Sequence, residues 1–111
     1  MLRRAGLVDA AIEVGDLVVD LAAGRALRGG RELALTATEL RLLDQLARHR
    51  GRVLSKTQLL GAVWGWEDYD LNVVEVHVSA LRRKLGDPTP IHTARGLGYV
   101  LREPHPSPTT P

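Results

Sequence analysis

Residues Asn72–Leu85, NVVEVHVSALRRKL, constrain the fold more than any other stretch of this 111-residue chain. Val74, Val78, Leu81 and Leu85 recur at intervals of four, three and four residues, which places one apolar stripe along a helix. Asn72 is a favourable N-cap, and Glu75 three residues on predicts a capping box, its carboxylate reaching back to the cap amide. Gly86 supplies a left-handed stop and Pro88 blocks a restart. The face opposite the stripe is centred on Asn72, Val76, Ser79 and Arg83, with Glu75 and Arg82 on one shoulder and Val73, Ala80 and Lys84 on the other. A plain solvated face carries long charged side chains throughout. This one is short-chained at its middle and basic toward its C-terminal end, and it carries a valine that the core does not need. A helix that lies in a DNA major groove wants these properties: close approach, phosphate-reaching arginines and an apolar contact for a thymine methyl.

The length suits one domain with a single hydrophobic core. With no Phe, that core must be filled by Leu, Val and Ala. The absence of cysteine excludes disulfides and thiolate metal sites, and fits a reducing cytoplasm. No apolar run approaches the length of a membrane span, and the first residues lack a signal-peptide apolar region. A formal charge of +2 permits nucleic-acid binding without demanding it. Positive charge used on DNA must therefore be local.

Taken in order, residues 1–11 read as linker. Ile12 with Val14, and Leu17 with Val19, alternate with Glu13, Val18 and Asp20, predicting two short strands broken at Gly15-Asp16. Arg25–Arg28 and Arg31–Leu35 predict two more, joined by a Gly29-Gly30 hairpin turn. Thr36 and Glu39 form a capping box at the head of a first helix. That helix buries Leu40, Leu43, Leu46 and Ala47, turns Glu39, Arg41, Gln45 and Arg48 outward, and stops at His49-Arg50-Gly51. Ser55 with Gln58 predicts the cap of a second helix, from Lys56 to Val63 or Trp64, burying Leu59, Leu60 and Val63. The loop 65–71 leads to the third helix. Ile91–Leu101 then reads as a hairpin with the tip Arg95-Gly96-Leu97-Gly98, and residues 103–111, rich in proline, as a disordered tail. The expected architecture is α/β (α+β): an N-terminal antiparallel sheet, three helices and a C-terminal β-hairpin wing, a winged helix-turn-helix over 12–102.

LTATELRLLDQLARHRGRVLSKTQLL with the following VW, then NVVEVHVSALRRKLG, then IHTARGLGYVL, resembles the OmpR/PhoB-type winged-helix effector domain of two-component response regulators. The likeness covers about residues 12–102, with several motifs in the right order and spacing. It implies a cytoplasmic bacterial transcription regulator that binds double-stranded DNA, with no enzymatic activity and no cofactor. By position it implies a DNA-facing set of Trp64, Asn72, Val73, Glu75, Val76, His77, Ser79, Ala80, Arg82, Arg83, Thr93 and Arg95. Trp64 would lie beside the phosphate backbone, and Thr93 and Arg95 on the wing. Residue type assigns roles: Arg82 and Arg83 to phosphate or guanine, Glu75 to a cytosine amino group, Val76 to a thymine methyl, Arg95 to a narrow minor groove. Ser79 and Ala80 are small where some relatives carry arginine, so a relative's target motif does not transfer. The resemblance also implies RNA polymerase contact through the loop with Trp64, Trp66 and Tyr69. It implies a monomer in the free state that pairs head to tail on direct repeats. It further implies a receiver domain ahead of Met1–Gly6, which resembles the end of a receiver linker.

Other readings compete at single residues. His77 lies on the edge of the buried stripe, where packing and phosphate contact compete evenly. Trp64 reads as a packed aromatic with its indole N–H at the surface ahead of a dedicated DNA anchor, the two being compatible, and Trp66 and Tyr69 are partner contacts or loop packing. Arg95 differs, because a hairpin tip needs glycine and has no structural need for arginine. An enzyme reading finds no phosphate-binding glycine loop, metal cluster or nucleophilic triad; Glu39, Asp44 and Asp70 read as cap, surface and loop residues. A winged-helix adaptor that binds protein partners is the serious rival, since fold does not determine function.

Overall fold

A computed structural model describes residues 11–65 and 70–103. A four-stranded antiparallel meander opens it: β1 (Ala11–Val14), β2 (Leu17–Asp20), β3 (Arg25–Arg28) and β4 (Arg31–Glu32), paired in sequence order. Alternation sends Val14, Leu17, Val19 and Ala26 inward. The register sets Val14 opposite Leu17 and Val19 opposite Ala26. β1 begins one residue earlier than expected. β4 ends three residues early: Leu33 still donates to the Ala26 carbonyl at 2.9 Å, but the chain then leaves the sheet to reach the helix cap at Thr36.

The first helix, α1 (Ala37–Arg48), starts at the expected capping box: Glu39 N donates to Thr36 Oγ1 at 3.1 Å, and Thr36 N to Glu39 Oε1 at 2.9 Å. It packs between the sheet, the wing and the third helix. Leu40, Leu42, Leu43, Leu46 and Ala47 are all buried. Two outward expectations need correction. Glu39 is buried, because Lys84 crosses from the third helix and donates to its Oε1 at 2.7 Å. Asp44, read as a surface residue, is also buried; Arg48, one turn on, lies over it and donates to Oδ2 at 2.7 Å. The partner of Glu39 comes from another helix, which one-helix periodicity does not register, whereas Asp44 and Arg48 are an i,i+4 pair within α1.

Burial acts to raise the Glu39 pKa, but the Lys84 ammonium and the Thr36 amide outweigh it and hold the carboxyl below its ordinary value of 4.5. Stability from this group is therefore complete above pH 4.5 and is lost as pH falls through the depressed folded value. Lys84→Met should cost about 1 kcal/mol at neutral pH, near the low end for a buried acceptor losing its partner, since Lys84 is itself partly solvated. The same variant should flatten the acid limb of stability below pH 4.5; urea titrations across pH would read both effects, and an unchanged acid limb would remove the pair from the account.

Ser55 and Gln58 cap α2 (Lys56–Leu59) reciprocally, as expected. The helix then widens into a π-wound turn, Leu60–Trp64, and stops at Gly65, whose φ of 78° suits glycine. Leu59, Leu60 and Val63 are buried. The third helix, α3 (Asn72–Leu85), has the expected limits, and Val74, Val78, Leu81 and Leu85 are its buried stripe. Its expected cap is wrong. Leu71 holds the cap position without a side-chain cap bond; Asn72 N donates instead to Asp70 Oδ1 at 3.0 Å. Glu75 turns away to pair with Lys56 at the head of α2.

The wing is β5 (Ile91–Ala94) and β6 (Gly98–Leu101), antiparallel, with Thr93 opposite Tyr99. It is tied to the segment before α2 by an isolated bridge, Leu54 N to Tyr99 O at 2.8 Å and Tyr99 N to Leu54 O at 2.9 Å. Ile91, Tyr99, Val100 and Leu101 are buried beneath it. The expectations for residues 1–10, for Trp66 and Tyr69, and for 104–111 lie outside the described residues.

Candidate nucleic-acid interface

The apolar stripe of α3 is consumed by the core, which leaves the opposite face outward. Asn72, Glu75, Val76, Ser79 and Arg83 are exposed, while Val73, His77, Ala80 and Arg82 are half-buried. Val76 is 55% exposed, so a branched apolar side chain stands in solvent at the middle of a polar face. Val73 packs against the core edge, and Ala80 keeps that flank narrow. Glu75 and Lys56 form an ion pair that joins the outer face of α3 to the first turn of α2.

Trp64 and His77 meet edge to face, with ring centroids 5.0 Å apart and planes at 73°. His77 Nδ1 donates to the Val73 carbonyl at 2.9 Å, which assigns the proton to Nδ1 and leaves Nε2 for a further contact. The two residues that sequence left between packing and contact therefore pack on each other at the start of the recognition face.

Arg82 has a role that sequence reading missed. Its Nε donates to the Ile91 carbonyl at 3.1 Å and its Nη2 to Thr93 Oγ1 at 2.7 Å. The guanidinium also lies 5.5 Å from the centroid of the Tyr99 ring, within cation–π range. Arg82 thus straps α3 to both wing strands, and it engages the Thr93 hydroxyl in doing so. Arg83, one residue on, is the exposed member of the pair. At the tip, Leu97 N donates to the Ala94 carbonyl at 2.8 Å, closing a tight turn through Gly96 at φ 76°. Arg95 and Leu97 both stand exposed there. On the wing's inner side His92 is held below the usual histidine range by burial, then by the charges of Arg102 and Arg82.

A short exposed helix face and a basic hairpin tip, strapped together over one small core, define a winged helix-turn-helix of the nucleic-acid-binding kind. Residues 30–101 match the family model described as "Transcriptional regulatory protein, C terminal". This chain belongs to that family, the OmpR/PhoB-type DNA-binding domains of transcriptional regulators. It is 48% identical over 95 residues to the transcriptional regulatory protein PrrA of Mycobacterium tuberculosis, covering 82% of this chain and 41% of PrrA. It is 41% identical over 116 residues to the response regulator MprA of Mycobacterium ulcerans, covering 96% of this chain and 50% of MprA. The chain thus spans between two-fifths and half of the length of these relatives. Among solved structures, the DNA-binding domain of CpxR from E. coli superposes with a TM-score of 0.74 at 36% identity, over 84% of this chain and 96% of that one. The RstA DNA-binding domain of Klebsiella pneumoniae, solved in complex with the RstA box, gives 0.74 at 32% identity, over 83% and 96%. The family consists of DNA-binding transcription regulators and is not an enzyme class, and the adaptor reading is not favoured. Among the described residues no helix is long and apolar enough to cross a membrane.

Proposed function

We propose that α3 enters the major groove of a specific duplex while the wing tip reaches the adjacent minor groove, as the output of a two-component response regulator. The observation that carries this reading is the Arg82 strap. By joining α3 to Ile91 and Thr93 it makes helix face and wing tip one rigid surface. The RstA relative supports it by being solved on its own DNA box. In this reading Asn72, Glu75, Val76 and Ser79 face base edges, Arg83 reaches a phosphate, and His77 Nε2, an acceptor, meets the backbone through a bridging water that donates to both. Trp64, Val73 and Ala80 line the approach to the backbone. Arg95 enters the minor groove, where a narrow width strengthens the potential that attracts it. Arg82 and Thr93 hold the wing at the angle that lets both grooves be read at once.

The reading extends to the whole protein as follows. Residues 12–102 are the folded output unit, receiving a signal from a receiver domain in a bacterial cytoplasm. Two copies sit head to tail on direct repeats, and the loop that follows Trp64, with Trp66 and Tyr69, meets RNA polymerase.

Selection of bound duplexes from a random pool, with recovered sites re-tested across a salt series, tests the proposal. A recovered repeated half-site bound with a steep salt slope is expected, because several phosphates are neutralised. Retention of no duplex at low salt would overturn it. On the selected site, Val76→Ala should leave affinity for duplexes without the matching thymine within about twofold, yet lower preference for that thymine severalfold. Unchanged base preference in a repeated selection would remove Val76 from the reading.

A further inference from the structure

Arg28 is an arginine with only 8% of its surface exposed, on the inward face of β3, far in sequence from any residue of the interface. Its Nη1 donates to the carbonyls of Leu85 at 3.0 Å and Gly86 at 3.1 Å, and its Nη2 to that of Pro88 at 2.6 Å. Its Nε completes an ion pair with Asp16 at 3.3 Å. The last carbonyls of a helix have no partner within it and carry the negative end of its dipole. A planar guanidinium, with five donors in a fixed fork, is the side chain able to gather the Leu85 and Gly86 carbonyls at the helix end together with that of Pro88 beyond it. These three carbonyls end α3 and begin the connection to Ile91, the first wing residue and a partner of the Arg82 strap.

We propose that Arg28 is a positioning residue for DNA recognition. From the N-terminal sheet it sets where α3 ends and where the wing begins, and so tunes preference for the specific site without touching DNA. The proposal rests on the DNA reading above and adds to it a dependence on a buried side chain of the opposite layer. Looseness at Leu85–Pro88 shifts Arg83 and the wing relative to each other. Such a shift degrades simultaneous reading of two grooves while leaving the electrostatic attraction of any duplex intact.

Arg28→Lys tests it, because the charge is kept while a single ammonium cannot span the carbonyls and Asp16. Affinity is measured for the selected site and for a scrambled duplex, across salt, at a temperature where circular dichroism shows the variant fully folded. Affinity for the selected site should fall about tenfold, within the range produced by network residues that contact no ligand. Scrambled-duplex affinity and the salt slope should stay unchanged. Arg28→Met should act in the same direction and further; if it does not fold, Arg28→Lys alone decides. Amide exchange gives a readout free of DNA: in Arg28→Lys the amides of Arg83, Lys84 and Gly86 should exchange faster while those of α1 do not. Preserved site preference, a parallel loss on both duplexes, or a salt slope reduced by about one phosphate would each overturn the proposal. If exchange quickens as expected but the parent chain selects no duplex, the DNA reading fails and the clamp stands as a stabilising contact alone.

Discussion

Gly98→Ala is expected to destabilise the domain by about 3 kcal/mol or more, the largest effect of an alanine at any of the described positive-φ glycines. The new Cβ would fall inside the envelope of the Leu54 carbonyl oxygen, and 2.8 Å from both the Leu54 carbonyl carbon and the Ser55 Cα. All of these are backbone atoms, so no side chain can swing away. Leu54 is held against the wing by its two hydrogen bonds with Tyr99, and Ser55 is the cap of α2. Relief of the clash requires breaking that bridge, at about 1 kcal/mol for each bond, with a positive φ of 146° adding strain of similar size. Gly96→Ala provides the contrast, since nothing lies within 4 Å of its Cβ and only the left-handed φ of 76° opposes it. That change should cost about 1 kcal/mol. Urea unfolding of the two variants checks the pair; a Gly98→Ala protein as stable as Gly96→Ala would mean that wing and α2 are not in this close contact.

The largest functional loss is expected from Arg83 and Arg95 together. Both are exposed, and no hydrogen bond or ion pair to either is found among the described residues, so their removal should leave stability within about 0.5 kcal/mol. On the selected duplex, the double alanine variant should bind about 100-fold more weakly at moderate salt. The slope of log affinity against log salt should become shallower by roughly two units, one for each lost cation. Arg95→Ala alone should weaken binding mainly where the minor groove is narrow. Filter binding across a salt series reads both quantities, and survival of tight binding in the double variant would sink the DNA-facing assignment of this surface.

The recognition helix was legible to the residue because its stripe, its glycine stop and the following proline all agree over one continuous segment. Two of the three capping boxes formed as read, since Thr36 with Glu39 and Ser55 with Gln58 needed nothing beyond their own turns. The third failed because Glu75 found Lys56 from another helix, a partner 19 residues away. Distance along the chain explains the other misses as well. Glu39 looks outward on a helical wheel until Lys84, 45 residues on, is placed beside it; Asp44 is the exception, since its partner Arg48 lies one turn on in the same helix. The second role of Arg82, its strap to Ile91 and Thr93, stays hidden until the wing is placed beside α3. One signal was available and unused: the alternation that sends Ala26 inward on β3 sends Arg28 inward too, and a buried cation demands acceptors.

The most direct test of the central claim is a chemical-shift titration of the isotope-labelled domain with the selected duplex. The account predicts that the amides of Val76, Ser79 and Arg83 shift together with those of Arg95 and Gly96, while the outward face of the four-stranded sheet, at Glu13 and Val18, stays silent. Shifts confined to that sheet, with α3 and the wing tip unmoved, would contradict it.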